Sequence, residues 1–478
     1  MKQQFDTIVI GAGVVGALVA RELTRLGQRV ALVERTDDVA TGASRANSGI
    51  VHAGYDAHPG TLKAKLNVKG SAMMEGLCAE MDVSFHRCGS LVVGFDENDE
   101  QTIRGLIERG QTNGVPDLAF LTGDEARKKE PSLTDAVTCA LWAPTGAVVC
   151  PYELTIAAAG VAIRNGAALF CNFAVTSLAR TESSWEVTAE DGRTLCAAYV
   201  VNCAGAHSDE VARMAGDDRF SVHARRGEYL LLDRECAGLV RSTVFMAPSK
   251  MGKGVLVSPT AHGNIIIGPT ATDTDDRDDT ATTAEGLDTV RRLSQKSVRG
   301  IPFGRGITCF AGLRAVGSTG DFIIDAPLPG FVNCAGIESP GLSASPAIAE
   351  YVAELLAQQG AALAPRADFD PTYTSPVSFR YLPSDKKNEI IARDPRYGRV
   401  ICRCETVTEG EIVAAIHAEP KPRDLDAVKR RTRCGMGRCQ GGFCTPYVSE
   451  ILARELGIPE TSVTKSGGAS PLLVGKTK

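Results

Sequence analysis

The chain has 478 residues, 44% of them hydrophobic and 23% charged, with a formal net charge of -5. That length suits two or three globular domains with large cores, and the mild acidity gives no reason to expect nucleic acid or an anionic membrane as partner. No apolar stretch reaches the ~18 residues of a membrane-spanning helix. Met1–Asp6 leads straight into a strand, so no signal peptide is expected. The expected location is cytoplasmic, with peripheral attachment to a membrane left open. Fifteen cysteines in such a chain argue against a disulfide framework, and most of those before residue 335 read as small buried hydrophobes.

Asp6 to Glu34 reads as strand, glycine turn, helix, strand. Ile8, Val9 and Ile10 form the apolar run of a parallel strand buried on both faces. Gly11 makes the tight turn, Gly13 lets a pyrophosphate approach the backbone, and Gly16 lets the helix pack closely. Val14 and Val15 stand at the helix N-terminus, whose free N–H groups face a phosphate. Glu34, 18 positions after Gly16, can accept hydrogen bonds from a ribose, and Arg35 follows it. This pattern predicts dinucleotide binding without separating FAD from NAD.

Thr41 to Tyr55, including Ser44, Asn47, Ser48, Gly49 and His52, is small and polar, as in a loop whose backbone passes close to a ligand. Helices are expected over Thr61–Met81, Glu97–Gly110, from Gly123 to before Pro131, and over Pro151–Asn165. Strands are expected over Ser90–Phe95, Thr176–Leu178, Trp185–Ala189 and Leu195–Asn202, with Trp185 read as packing. The last strand runs into a second small-residue turn, Cys203-Ala204-Gly205. Gly227–Asp233, Gly254–Ser258 and Asn264–Gly268 suggest a mostly antiparallel substrate-side sheet. Asp273–Asp279 carries five aspartates and reads as a solvated loop. Phe331–Ala335 is a strand leading through Gly336, Ile337, Gly341, Leu342 and Ser343 into a helix that ends near Gln359.

Residues 361–399 read as a linker or wrapping segment, 400–458 as a separate module, and 459–478 as a tail. In the module, Cys402-Arg403-Cys404 is followed 35 positions after Cys404 by Cys439, and Cys444 comes five later. Four thiolates presented from glycine-bearing loops suit an iron–sulfur cluster, and a four-cysteine zinc site or a set of free thiols answers the same spacing. Cys434 is a fifth candidate, so spacing leaves the ligand set open.

Val400-Ile401-Cys402-Arg403-Cys404-Glu405 and Arg433-Cys434-Gly435-Met436-Gly437-Arg438-Cys439-Gln440-Gly441-Gly442-Phe443-Cys444 resemble the bacterioferritin-associated-ferredoxin-like [2Fe–2S] domain. The form is the one found at the C-terminus of anaerobic-type glycerol-3-phosphate dehydrogenases. The resemblance implies Cys402, Cys404, Cys439 and Cys444 as ligands, with a small non-ligand usual at the place of Cys434.

The first 360 residues resemble the D-amino-acid-oxidase-like FAD-dependent oxidoreductases. Asn47–Gly54, Arg226-Gly227-Glu228-Tyr229 and Gly336–Leu342 are similar to the L-2-hydroxyglutarate oxidase and glycerol-3-phosphate dehydrogenase branch. The resemblance implies an α/β fold: a Rossmann-like FAD-binding domain (about 1–90, 150–215 and 310–360) and a mostly antiparallel substrate domain (about 90–150 and 216–309), followed by a small helical-loop [2Fe–2S] module. It implies FAD at the glycine turn. It assigns Cys203, Ala204, Gly205 and the Gly336–Ser343 loop to flavin contact, with Val175 and Gly312 beside them. Where the glycerol-phosphate enzymes commonly carry a basic residue, this chain has Tyr55-Asp56.

Oxidation of a hydroxyl carbon needs a base that is neutral near pH 7, and His52 stands in the flavin-side loop. An anionic substrate needs a two-pronged partner, which the guanidinium of Arg314 supplies. Arg225, Arg226, Lys250 and Lys253 are weaker candidates for the anion. The run Lys429-Arg430-Arg431-Thr432-Arg433 reads either as a solvated helix end or as a docking face for an acidic partner. The expected reaction is oxidation of a small anionic hydroxy compound, sn-glycerol 3-phosphate first. Electrons would pass from FAD through a [2Fe–2S] cluster to an acceptor protein or further subunits. L-2-hydroxyglutarate or another 2-hydroxy or amino acid is the second expectation, and an electron-transfer subunit of a larger complex the third.

Overall fold

In the computed structural model, which describes residues 3–248 and 254–475, the strand Gln3–Ile10 lies inside an eight-stranded sheet. It pairs in parallel with Val30–Val33 on one side and Thr194–Asn202 on the other. Ala168–Phe170 extends the sheet beyond Val30–Val33, and Phe331–Ala335 adds a further parallel strand beside Val200–Asn202. Ile8, Val9, Val30 and Ala31 are fully buried, which is why these strands are apolar without alternation. The helix Val14–Arg25 packs on Pro151–Arg164 and Gly341–Gln358, and the latter also meets Leu62–Glu80. Trp185 packs on Phe331 and donates from Nε1 to Pro329 O (3.2 Å).

A second, nine-stranded sheet is antiparallel except where Thr243–Met246 runs parallel to Ser90–Gly94. Its longest pairing joins Val222–Leu232 to Gly306–Gly317. The boundary expected near 310 therefore falls inside a strand, and residues 306–317 belong to this second sheet. A small third sheet, Ile50–Val51 with Ala147–Val149 and Phe85–His86, had no signature in the sequence because its strands are two or three residues long.

The five-aspartate loop is not free in solvent. Asp273 pairs with Arg225, Asp278 with Arg35, and Asp279 with Arg226, while Arg277 reaches back to Asp209. Residues 361–399 wrap the first domain: Ala364 N–H donates to Leu26 O, and Asp370 N–H to Asn165 Oδ1. They hold a helix of their own, Ser384–Arg393.

The C-terminal module is a short hairpin, Val400–Cys402 with Val407–Thr408, followed by helices Glu409–His417, Leu425–Thr432 and Thr445–Leu456. Thr408 and Glu411 form a reciprocal cap at the start of the first helix. Ile412, Val428, Ile451 and Leu452 make its core, and Val463 of the tail is buried with them.

Candidate active site

The glycine turn is shaped by close approach. Gly11 has φ +101°, and a Cβ there would lie 2.4 Å from Cys203 O; at Gly16 it would lie 1.9 Å from Gly11 O. Only glycine allows that contact, so the N-terminus of helix Val14–Arg25 sits directly above the strand ends. Ala12 N–H donates to Glu34 Oε2 (2.9 Å), and the backbone and hydroxyl of Thr36 donate to Oε1 (3.1 and 3.0 Å). The carboxylate is thus oriented at the rim of the turn with lone pairs to spare for a ribose.

The loop after it is held by its own side chains. Asn47 Nδ2 donates to Ala43 O (3.0 Å) and Ser44 O (3.2 Å), and its Oδ1 accepts Gly49 N–H (2.8 Å). Ser44 Oγ accepts Val14 N–H (2.8 Å), which ties the loop to the helix start. Gly312 lets the second sheet come against this loop, since a Cβ would lie 1.8 Å from Ala46 O. At the far end Ser343 Oγ accepts His52 N–H (2.7 Å) and donates to Ile50 O (3.3 Å).

These elements enclose one cavity of about 1920 Å³. Every cofactor residue chosen from the sequence lines it except Gly16 and Gly336, and His52 and Arg314 line it too. Gly16 works from behind, under the helix, and Gly336 packs against Gly317. A volume above the usual 300–1,000 Å³ of a ligand pocket suits an extended dinucleotide with a substrate beside it.

The ring of His52 lies 4.6 Å from Tyr55 and 5.8 Å from Phe245, and its Nδ1 accepts a long hydrogen bond from Gly54 N–H (3.3 Å). Arg314 Nη2 donates to Thr270 O (3.2 Å). Burial pushes the Tyr229 hydroxyl up, and the neighbouring Arg314 charge acts against it. Among the described residues no carboxylate pairs with Arg314. Arg225 and Arg226 differ: Asp273 and Asp279 each hold one at 2.6 Å. Lys250 and Lys253 lie outside the described residues.

Two cavity features escaped the sequence reading. Lys63 Nζ meets Glu338 Oε1 at 2.8 Å. Cys150, Glu153 and His262 stand together, with His262 Nε2 at 2.6 Å from Glu153 Oε1. Lys63 is 275 positions from Glu338, and no local pattern announces such a pair.

In the module the sulfurs of Cys402, Cys434 and Cys444 all lie within 4.8 Å of one another. The thiols of Cys404 and Cys439 act on each other as a separate pair. Bonds from Cys434 and Cys444, then from the Gly435 and Glu405 N–H groups, hold Cys402 far below the usual thiol range against its burial. Backbone N–H groups of Gly441, Gly442 and Phe443 point at the Cys439 sulfur. Thiols ringed by backbone donors are what a charged iron–sulfur cluster requires of a protein.

The basic run belongs to neither alternative expected of it. Asp38 receives Arg430 Nη2 at 2.5 Å and Arg431 Nη2 at 2.7 Å, and all three side chains are buried. Burial would raise the Asp38 carboxyl, but the two guanidiniums, Arg431 first, hold it below the usual range. Arg433 bonds Glu405 (3.0 Å), Tyr152 OH (3.3 Å) and Asn264 Oδ1 (3.2 Å). Tyr152 OH also donates to Met436 Sδ (3.5 Å). Tyr152, Asn264, Arg433 and Met436 line the same cavity, so the cysteine loop abuts its wall.

Comparison with known proteins agrees with this two-part layout. Residues 6–355 match the FAD dependent oxidoreductase family (DAO), and residues 400–454 match the BFD-like [2Fe-2S] binding domain. A glycerol 3-phosphate dehydrogenase of Caloramator mitchellensis is 46% identical over 99% of both chains. A glycerol 3-phosphate oxidase of Mycoplasma genitalium is 29% identical over 74% of this chain and 95% of its own. A solved structure of the L-alpha-glycerophosphate oxidase of Mycoplasma pneumoniae with FAD bound superposes with a TM-score of 0.75. It is 28% identical and spans 78% of this chain and 100% of its own.

Proposed function

The chain belongs to the FAD dependent oxidoreductase family and ends in a BFD-like [2Fe-2S] binding domain, and on that premise we propose that it oxidises sn-glycerol 3-phosphate to dihydroxyacetone phosphate. Bound FAD supplies a two-electron acceptor, and the [2Fe–2S] cluster a one-electron carrier toward a partner protein or further subunits. Arg314 binds the phosphate through its planar fork. His52 takes the proton of the hydroxyl group being oxidised. Ser343 positions His52 through its backbone, and the walls from both sheets exclude water. Gly11, Gly13, Glu34, Ser44 and the turns at Cys203 and Gly341 hold the dinucleotide. Cys402, Cys404, Cys439 and Cys444 hold the cluster.

The observation that carries this reading is Arg314, a guanidinium without a carboxylate partner among the described residues, lining the same cavity as His52. Similarity over the full length to a glycerol 3-phosphate dehydrogenase supports the choice of substrate. No helix of the described residues is long and apolar enough to cross a membrane, which accords with a cytoplasmic or peripheral place of work.

The test is anaerobic mixing of the flavin-loaded chain with each compound while flavin absorbance is followed. Glycerol 3-phosphate is expected to bleach it. Bleaching by L-2-hydroxyglutarate alone would transfer the assignment to 2-hydroxy acids. Bleaching by no small molecule, but by a reduced protein partner, would make the chain an electron-transfer subunit.

A further inference from the structure

The module brings five sulfurs together, and a [2Fe–2S] cluster takes four. They fall into two unequal groups. Cys402, Cys434 and Cys444 form one, each sulfur within 4.8 Å of the other two and each side chain buried. Cys404 and Cys439 form the other; both are less buried, and no third thiol joins them among the described residues.

Two thiolates on one tetrahedral metal, with metal–sulfur bonds of about 2.3 Å, stand roughly 3.8 Å apart. The three inner sulfurs, all within 4.8 Å of one another, therefore need shift by no more than about 1 Å for any two of them to meet a single iron. The backbone aims Cys434 at this position: Arg433 and Gly435 on either side of it have φ of 64° and 91°, and Cys434 N–H donates to Thr432 Oγ1 (3.1 Å). Arg433 is itself anchored on Glu405, Tyr152 and Asn264, so the turn cannot swing away.

We propose that Cys434 is a reserve ligand for the inner iron of the cluster, replacing Cys402 or Cys444 when either is lost, whereas the outer iron on Cys404 and Cys439 has no substitute. The inference rests on the [2Fe–2S] reading of the module. Where residue 444 lacks its thiol, no iron–sulfur bond breaks: the Cys434 thiol gives its proton to water and its thiolate forms the bond to iron that Cys444 would have made. The iron oxidation state and the bridging sulfides are unchanged.

The full-length protein, prepared without oxygen, tests this through iron and acid-labile sulfide per flavin and the EPR spectrum after dithionite reduction. Flavin content reports in each variant that the first domain has folded. Cys434→Ala is expected to keep the cluster and the wild-type g values. Cys444→Ala and Cys402→Ala are each expected to keep a [2Fe–2S] signal with shifted g values. Cys404→Ala and the double variant Cys434→Ala/Cys444→Ala are expected to lose iron at least tenfold. Single variants at Cys402 and Cys444 as empty as Cys404→Ala would leave Cys434 a buried thiol only and overturn the proposal. Loss of iron from Cys434→Ala alone would make it an obligatory ligand and overturn it equally. A wild-type protein without iron or sulfide would instead refute the cluster itself.

Discussion

Arg314 and the pair Arg430–Arg431 carry the same guanidinium chemistry to opposite ends. Arg314 stands in the cavity wall with a carbonyl as its hydrogen-bond acceptor, Thr270 O. Arg430 and Arg431 are buried on both oxygens of Asp38. On the proposed reading, a cation in a cleft with no carboxylate partner among the described residues takes an anion from outside. A cation already matched inside the protein is a joint. The contrast also disposes of Arg225 and Arg226, whose aspartates come from the loop 273–279. The teaching is that charge in a sequence is ambiguous until the position of the opposite charge is known.

The comparison can be broken most directly at Arg314. Replacing it with alanine should lower kcat/KM for glycerol 3-phosphate by about 10³-fold, roughly 4 kcal/mol, with flavin content and melting temperature unchanged. Lysine at that position should recover only part of the loss, because an ammonium lacks the two-pronged fork. A fall in melting temperature equal to that of a joint variant would erase the distinction.

The joint should respond in the opposite way. Asp38→Ala leaves two guanidiniums buried without a partner, a loss of about 3–5 kcal/mol. We expect the module to detach in limited proteolysis within 361–399 while substrate still bleaches the flavin. Reduction of the cluster by substrate should slow in the same variant, as followed by EPR after rapid freezing.

Within the module, Thr408→Ala removes one half of the reciprocal cap with Glu411. It should cost about 1 kcal/mol, read as a lower melting temperature of the module alone. The smallest effect concerns pH. Burial, with Asp37 nearby, raises the Asp424 carboxyl to about 7, well above its value of about 3.9 in an unfolded chain. A raised carboxyl is favoured folded in its protonated form, so its contribution is complete below about 4 and is lost as pH rises through about 7. The stability difference between wild type and Asp424→Asn should shift against wild type over that interval. A difference independent of pH would refute the raised Asp424 carboxyl.

The flavin side of the molecule was legible because its signals are local. Gly11, Gly13, Gly16 and Glu34 act on one another within a single strand–turn–helix–strand unit, and the same backbone demands recur at Cys203-Ala204-Gly205 and Gly341-Leu342-Ser343. The four cysteines expected as ligands were chosen from a motif whose second half is one continuous loop. What escaped was long-range. The Lys63–Glu338 pair, the Glu153–His262 pair and the Arg430–Asp38 contact join residues 275, 109 and 392 positions apart.

Backbone geometry leaves a trace in sequence, because only glycine fits where another segment of the backbone comes within 2.4 Å of the place a Cβ would take, as at Gly11. The primary structure alone therefore determined the dinucleotide turn, the alternation of strand and helix around it, and the existence of a separate sulfur-bearing module. Tertiary structure decided which charges are spent and which are available, and that Cys434 faces the other inner sulfurs. Electrostatic and thiol contacts depend on through-space distance, and folding sets that distance between segments that carry no mark of each other.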